Sequence, residues 1–325
     1  RNTAVGSYSQ YTSTFGNYNT SLGTDTLYAN ITGSYNTAVG SKALQNNTTN
    51  GNSAFGYKAL FANTVGVSNV AVGYFALAAN TIASYNSAVG VTSLASNTTG
   101  AYNTAFGYGT LRYNTVGAYN TAGGTFALNN NTTGKNNTAF GYASLHLNTI
   151  GIKNNAFGYY ALRNNTIGSY NCAFGEASLR YNTTGVRNSG FGYRALNSNT
   201  IGSSNSAFGY QALYSNTSGA ANIAIGQQSQ LLNTIGSANT SIGFQSLYTN
   251  NSGYNNTAIG YGSLFTNSSG INNTAVGLYS LYYNTTGANN VAVGVNSLNA
   301  NTSGGLNIAI NNWVYDTNGS QRIYF

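Results

Sequence analysis

NTAFGYGTLRYNTVGAY fills residues 103–119, NTAGGTFALNNNTTGKN fills 120–136, and NTAFGYASLHLNTIGIK fills 137–153. Each block has 17 residues, opens on Asn-Thr, and keeps a Gly, a Leu and a second Asn at fixed places. Self-similarity at a fixed period marks a repeat architecture and is read before any local signal.

The same block starts at Asn2, Asn19, Asn36, Asn52 and Asn69, then every 17 residues to Asn307, giving 18 full copies and one frayed copy. Only the copy from Asn36 is short, by one residue, in its NTTNG. Numbered from the first Asn, the consensus is N-T-A-Φ-G-Y-x-A/S-L-x-x-N-T-(T/I/V)-G-x-x. Position 1 is always Asn. Position 5 is Gly except at Asn311, and position 9 is Leu except at Gln10 and Gln230. Position 12 is Asn except at Ser13, and position 15 is Gly except at Asn50 and Ala83. Positions 3 and 8 are always small.

Composition suits an ordered, weakly charged chain. Charged residues make up 4% of the 325, against 28 Tyr and 14 Phe, and disordered chains show the opposite balance. The net charge of +8 comes from 11 basic and 3 acidic residues. Seven of the basics are scattered between Arg112 and Arg194. Nucleic-acid binding needs a denser array, so no nucleic-acid partner is expected. No apolar run approaches the roughly 20 residues of a membrane span, so membrane insertion is not expected. The chain opens inside the pattern at Arg1, as a mature product or an excised segment would. Cys172 is the only cysteine, which excludes an intrachain disulfide. In place of Thr at position 2 it reads as a small buried residue.

Gly twice per block, with frequent Thr, Val and Ile, argues against helix. The pieces T-A-Φ, Y-x-A-L and T-T/I read as short strands separated by corners. Gly at positions 5 and 15 would supply positive φ at those corners, and Asn would bond the turning backbone. Coils stacked about 4.8 Å apart would set each residue over its equivalent. The expected fold is therefore all-β, a parallel β-solenoid of about 18 coils with a 17-residue repeat, forming a rod of roughly 85–90 Å. It would occupy residues 1–310, with 311–325 as an irregular cap or the start of a following domain. The expected ladders include Asn103, Asn120 and Asn137 at position 1, Gly107, Gly124 and Gly141 at position 5, Leu111, Leu128 and Leu145 at position 9, and Asn114, Asn131 and Asn148 at position 12. Leu over Leu, and Val or Phe over Phe at position 4, would fill the core. Ala and Ser at positions 3 and 8 would let the walls approach. One coil buries too little apolar area to stand alone. Lateral association through Tyr at position 6 or Leu at position 9 is expected.

The NTAVG of 36–40 and the NIAIG of 222–226 resemble the N/S-x-A-Φ-G element of trimeric autotransporter adhesin heads of the YadA type. The longer NTAFGYxALxxNTTG phrase is similar to repeat tracts of phage and viral tail-fibre-like proteins that precede an endosialidase-type chaperone domain. The resemblance spans residues 2–310. It implies a left-handed parallel β-roll, a homotrimer and a place on a cell or virion surface. The repeat is longer than the usual head repeat. The tail NNWVYDTNGSQRIYF, with Trp313 and a strand-like QRIYF, leaves the period.

Catalytic constellations are missing from the sequence. Asp25, Glu176 and Asp316 are each about eight or more coils apart, roughly 40 Å at the coil spacing. His146 is the only histidine, so neither a triad nor a metal cluster can be assembled around it. No Gly-rich phosphate loop with Lys occurs. Neither an enzyme nor a cofactor is expected. Sequons at Asn97, Asn131, Asn182, Asn216, Asn284 and Asn301 are candidate glycan acceptors. Asn also holds position 12 where no sequon exists, at Asn63, Asn114, Asn148 and Asn199, which favours a corner role. Tyr recurs at positions 6 and 17, where it suits packing or an interface. Thr rows at positions 13 and 14 raise an ice-binding reading, but position 14 is apolar in many copies and breaks the lattice. The candidate ligand or interface patch comprises Tyr142, Tyr159, Arg163, Arg180, Tyr193 and Arg194.

These readings converge on a non-catalytic extracellular fibre built by self-association, as a trimer or an end-to-end filament. The alternative is an adhesin or tail-fibre shaft that recognises surface glycans.

Overall fold

The structure is a computed structural model describing residues 1–311 and 319–324. It is a parallel β-solenoid in two compact units. One comprises Arg1–Tyr160 with Asn164–Ile167, the other Ala161–Arg163 with Gly168–Phe325. The first carries strands β1 (Thr3–Val5) to β10 (Asn155–Phe157), the second β11 (Cys172–Phe174) to β20 (Ile323–Tyr324). No helix occurs among the described residues.

Strands recur once per repeat and pair in register with the equivalent residues of the next coil. Thr104 faces Thr121, Ala105 faces Ala122 and Phe106 faces Gly123. In the second unit Ser189, Gly190 and Phe191 face Ser206, Ala207 and Phe208. β20 pairs with β19 (Ile308–Ile310), Ile308 facing Ile323. Asn312 to Asn318, including Trp313 and Asp316, lie outside the described residues, and with them most of the expected cap.

Only T-A-Φ forms a strand. The Y-x-A-L and T-T/I pieces, expected as strands, are turns. The backbone explains the difference: position 7 and position 9 both adopt positive φ, 63° at Gly109 and 51° at Leu111, which ends any extended run. Left-handed Leu is strained by roughly 1–2 kcal/mol. Full burial of the side chain, at Leu111, Leu128 and Leu145 alike, contributes about 1.5–3 kcal/mol in return.

The bends do not cost the backbone its hydrogen bonds, because they turn outward to neighbouring coils. In the coil from Asn103, the N–H groups of Gly107, Gly109 and Tyr119 donate to Val89, Val91 and Ala101 of the preceding coil, at 2.8, 3.0 and 3.1 Å. Those of Thr104, Leu111, Tyr113 and Thr115 donate to Asn120, Ala127, Asn129 and Thr132 of the following coil, at 2.8–3.1 Å. Each coil is thereby bonded on both sides, and few amides need partners within their own coil.

The core differs from expectation at position 4. Side chains alternate along a strand, and here the middle residue of the three points inward while its two neighbours point out. That residue is the small one at position 3: Ala105, Ala122 and Ala139 are fully buried. Position 4 faces out, with Phe106, Phe140 and Phe208 40–48% exposed. The interior consists of Ala at position 3, the small residue at position 8 and Leu at position 9. Leu at position 9 is therefore unavailable for lateral association.

The two glycine columns also act differently. Gly107 at position 5 has φ +128°, and a Cβ there would lie 2.9 Å from the carbonyl carbon of Gly124. Gly117 at position 15 does not have positive φ, contrary to expectation. It is needed for close approach, since a Cβ would overlap Asn114 Oδ1 and lie 2.5 Å from Gly134 O. A further left-handed residue stands at position 17, occupied by Tyr102 (φ 59°) and Tyr119 (φ 59°). In the short coil Thr49, not Asn50, takes the position 15 seat: its carbonyl accepts from Asn47 Nδ2 at 2.8 Å, as that of Gly66 does from Asn63 at 2.9 Å. Gly51 holds the position 17 corner with φ 68°. The residue missing from that coil is thus at position 14.

Candidate functional site

Polar side chains inside the coils form two asparagine ladders. At position 12, Asn114 Nδ2 donates to Asn97 Oδ1 at 2.7 Å and to Gly117 O at 2.9 Å. Asn131 repeats this with Asn114 and Gly134, at 2.7 and 3.0 Å, and Asn148 with Asn131 and Gly151, at 2.8 and 3.0 Å. At position 1 the backbone N–H of Asn120 donates to Asn103 Oδ1, and that of Asn137 to Asn120 Oδ1, both at 3.0 Å. Asn103 Nδ2 reaches Gly117 O at 2.8 Å. The Gly117 carbonyl therefore accepts from two asparagines of its own coil.

The sequon asparagines proposed as glycan acceptors all lie in the position 12 ladder. Asn97, Asn131, Asn182, Asn216 and Asn284 are fully buried, and Asn301 is 1% exposed. Each Nδ2 donates to the position 15 carbonyl of its coil at 2.9–3.1 Å. Attaching a sugar to that nitrogen would replace a donor and drive a large polar group into the wall. In the folded coil these asparagines are buried corners.

The residues of the patch proposed from the sequence are divided between the two units. In the first unit Tyr142 and Tyr159 stack at 5.5 Å between ring centroids, with 16° between their planes. In the second, Tyr193 stacks on Tyr210 at 5.3 Å and 11°, Arg194 lies over the Tyr193 ring at 5.0 Å, and Arg180 over Tyr181 at 5.1 Å. Arg163 is half-buried. Rings stacked face to face offer an incoming sugar their edges, and guanidinium groups seated on rings are already engaged. Tyr85, Tyr102 and Tyr119 at position 17 form a similar column with 5.0 Å spacings.

The remaining reactive side chains stay separate. His146 is half-buried, with Nδ1 3.2 Å from Phe126 O and its ring edge-on to Phe126. Cys172 points outward from β11 and is half-buried, where the sequence suggested full burial. Partial burial raises its thiol above the ordinary range, which keeps it protonated and unreactive. No group of three or more His, Cys, Asp or Glu among the described residues could hold a metal ion, and no helix among them is long and apolar enough to cross a membrane.

What sequence reasoning missed is the outward column at position 4. In the second unit it runs Phe174, Phe191, Phe208, Ile225, Ile242, Ile259, Val276, Val293, Ile310, one large apolar side chain per coil. The phenylalanines stack at 5.1 and 4.9 Å with planes within 5°. Ile225, Ile242 and Ile259 are 37–39% exposed. In the first unit the column is likewise apolar throughout and is interrupted only by Gly123, where the Phe140 ring leans into the space a Cβ would fill. The sequence carried a signal for this column, since position 4 is apolar while its strand neighbour at position 3 is always small.

Comparison with known proteins yields no match among protein-family models, curated proteins or solved structures.

Proposed function

We propose that the chain is a non-catalytic structural protein of an extracellular or surface fibre, in which solenoid rods associate sideways along the apolar column at position 4. The observation that carries this reading is that 18 of the 19 residues at an outward position are large and apolar. Scattered exposed apolar residues are ordinary, but a column that is apolar in every coil of the second unit is a surface built to be covered. A second copy supplies a matching column, and two sheet faces pack about 10 Å apart. The resemblance to surface-fibre repeats points the same way. Near-identical copies suit a scaffold, because each coil presents its neighbour with the same surface.

Sedimentation and electron microscopy of the purified chain test the reading. Assemblies are expected that Phe191→Lys with Ile242→Lys disperses to single rods while circular dichroism stays unchanged. Wild-type protein that remains monomeric at high concentration would overturn it. Binding of monomers to surface glycans would favour the adhesin reading instead.

A further inference from the structure

Most aromatic side chains of this solenoid cover one another, so the informative place is where a column stops. In the second unit Tyr248, Phe265 and Tyr282 occupy position 10 of successive coils and stack at 4.9 and 5.0 Å with planes within 8°. The next residue of the column is Asn299, which has no ring. Phe265 covers the face of Tyr282 toward the preceding coil, leaving its other face directed at the coil of Asn299. Two further tyrosines stand against Tyr282 edge to face: Tyr279 at 5.1 Å and 89°, and Tyr283 at 4.8 Å and 81°. Tyr279, Tyr282, Tyr283 and Asn299 line a cavity of about 210 Å³.

The surroundings are arranged to leave this space open. Gly262 precedes Tyr279 by one coil, and a Cβ there would lie 2.8 Å from the Tyr279 ring. The missing side chain lets that ring lie over the preceding coil, edge-on to Tyr261 at 5.4 Å and 89°. Asn299 Nδ2 donates to the Tyr279 carbonyl at 3.0 Å, which fixes the amide at the rim.

We propose that this cavity binds one neutral pyranose ring of a glycan, seated against the tyrosine rings that line it, with tyrosine hydroxyls and the Asn299 amide at its edge. Size limits the ligand to a single ring, because sites for larger molecules start near 300 Å³. Charge points to neutral sugars: the described residues 195–311 contain no Asp, Glu, Lys, Arg or His, so neither an acidic nor a cationic ligand meets a counter-ion among them. The phenols of Tyr279 and Tyr282 are raised above their ordinary range, first by loss of surrounding water and then by neighbouring phenols. They therefore remain neutral hydrogen-bond donors at physiological pH. This site does not depend on the association of rods.

Saturation-transfer NMR on the full chain tests the proposal, using methyl galactopyranoside, methyl glucopyranoside and N-acetylglucosamine as probes, with N-acetylneuraminic acid and choline as charged controls. At least one neutral probe is expected to saturate. The effect should fall about tenfold in Tyr283→Ala, the loss expected for one aromatic wall. Asn299→Leu should also block it, and Leu231 already occupies position 10 elsewhere in this chain. Thermal melts of both variants should match wild type, and Tyr102→Ala should bind as wild type does. No saturation by any neutral probe, saturation by choline alone, or undiminished saturation in both variants would each overturn the proposal.

Discussion

Gln230 Nε2 donates to Ser241 Oγ at 2.8 Å inside the second unit, and Gln10 Nε2 donates to Ser21 Oγ at 2.8 Å inside the first. Gln10 and Gln230 are the two departures from Leu at position 9, and Ser21 and Ser241 are the only serines at position 3. Each glutamine lies 11 residues before its serine. The same pair of substitutions thus arises twice in one chain, because a buried amide needs a polar partner where the ordinary core offers a methyl group.

The pair makes stability at these sites non-additive. Ser241→Ala alone should lower stability by about 1–2 kcal/mol, since it leaves a buried glutamine half satisfied. Adding Gln230→Leu should restore stability, because the double variant recreates the Leu and Ala of the other coils. Urea melts of both singles and the double give the coupling, expected near 1 kcal/mol. A double variant less stable than Ser241→Ala would contradict this account.

The two glycine columns should separate under alanine substitution. Gly107→Ala forces an L residue to φ +128° and against backbone 2.9 Å away, so a loss of about 3 kcal/mol is expected. Gly117→Ala meets the side-chain amides of Asn114 and Asn131 and one carbonyl, at ordinary φ. Ala83 already fills the equivalent seat at 3% exposure, so about 1 kcal/mol is expected. Thermal unfolding of the two variants should rank them in that order.

Removing one ladder rung should affect three coils. Asn131→Ala deprives Asn148 Nδ2 of an acceptor, Asn114 Oδ1 of a donor and Gly134 O of one of its donors. A loss of about 3 kcal/mol is expected, with hydrogen exchange accelerated in coils 103–153 before distant ones. Intact-mass measurement of folded protein from a glycosylating host should find Asn131 unmodified.

Alkaline titration should find late phenols. Tyr279 and Tyr282 hold their protons more tightly folded than unfolded. The folded state therefore binds more protons as the unfolded phenol titrates near pH 10, and stability falls as pH rises through and above that value. Ultraviolet absorbance should show a late-ionising fraction, diminished in Tyr279→Phe, and the melting temperature of that variant should decline less steeply above pH 10.

The solenoid was legible because its period is written in the chain: Asn103, Leu111 and Asn114 recur at equal spacing, and the backbone places their equivalents one above another. The interior was harder to read. Between Ala105 and Phe106 the larger side chain looks like the core residue, yet the narrow coil admits the methyl and expels the ring. Gly107 and Gly117 look equivalent as letters, although one is fixed by its own dihedral angle and the other by the neighbouring atoms that stand where a Cβ would go. The end of the position 10 column, Tyr282 followed by Asn299, is written in the sequence; the cavity beside it was not legible, because it depends on how the Tyr279 and Tyr283 rings turn.

Alternating bonds to the coil on either side also set how the protein yields under load. Tension on a chain end opens one ring at a time, since the ring behind remains clamped by its own neighbour. Every 17 residues released add about 55–60 Å of slack. A pulled strand of this kind pays out in steps before it breaks, behaving as an extensible tether whose increment is fixed by the repeat.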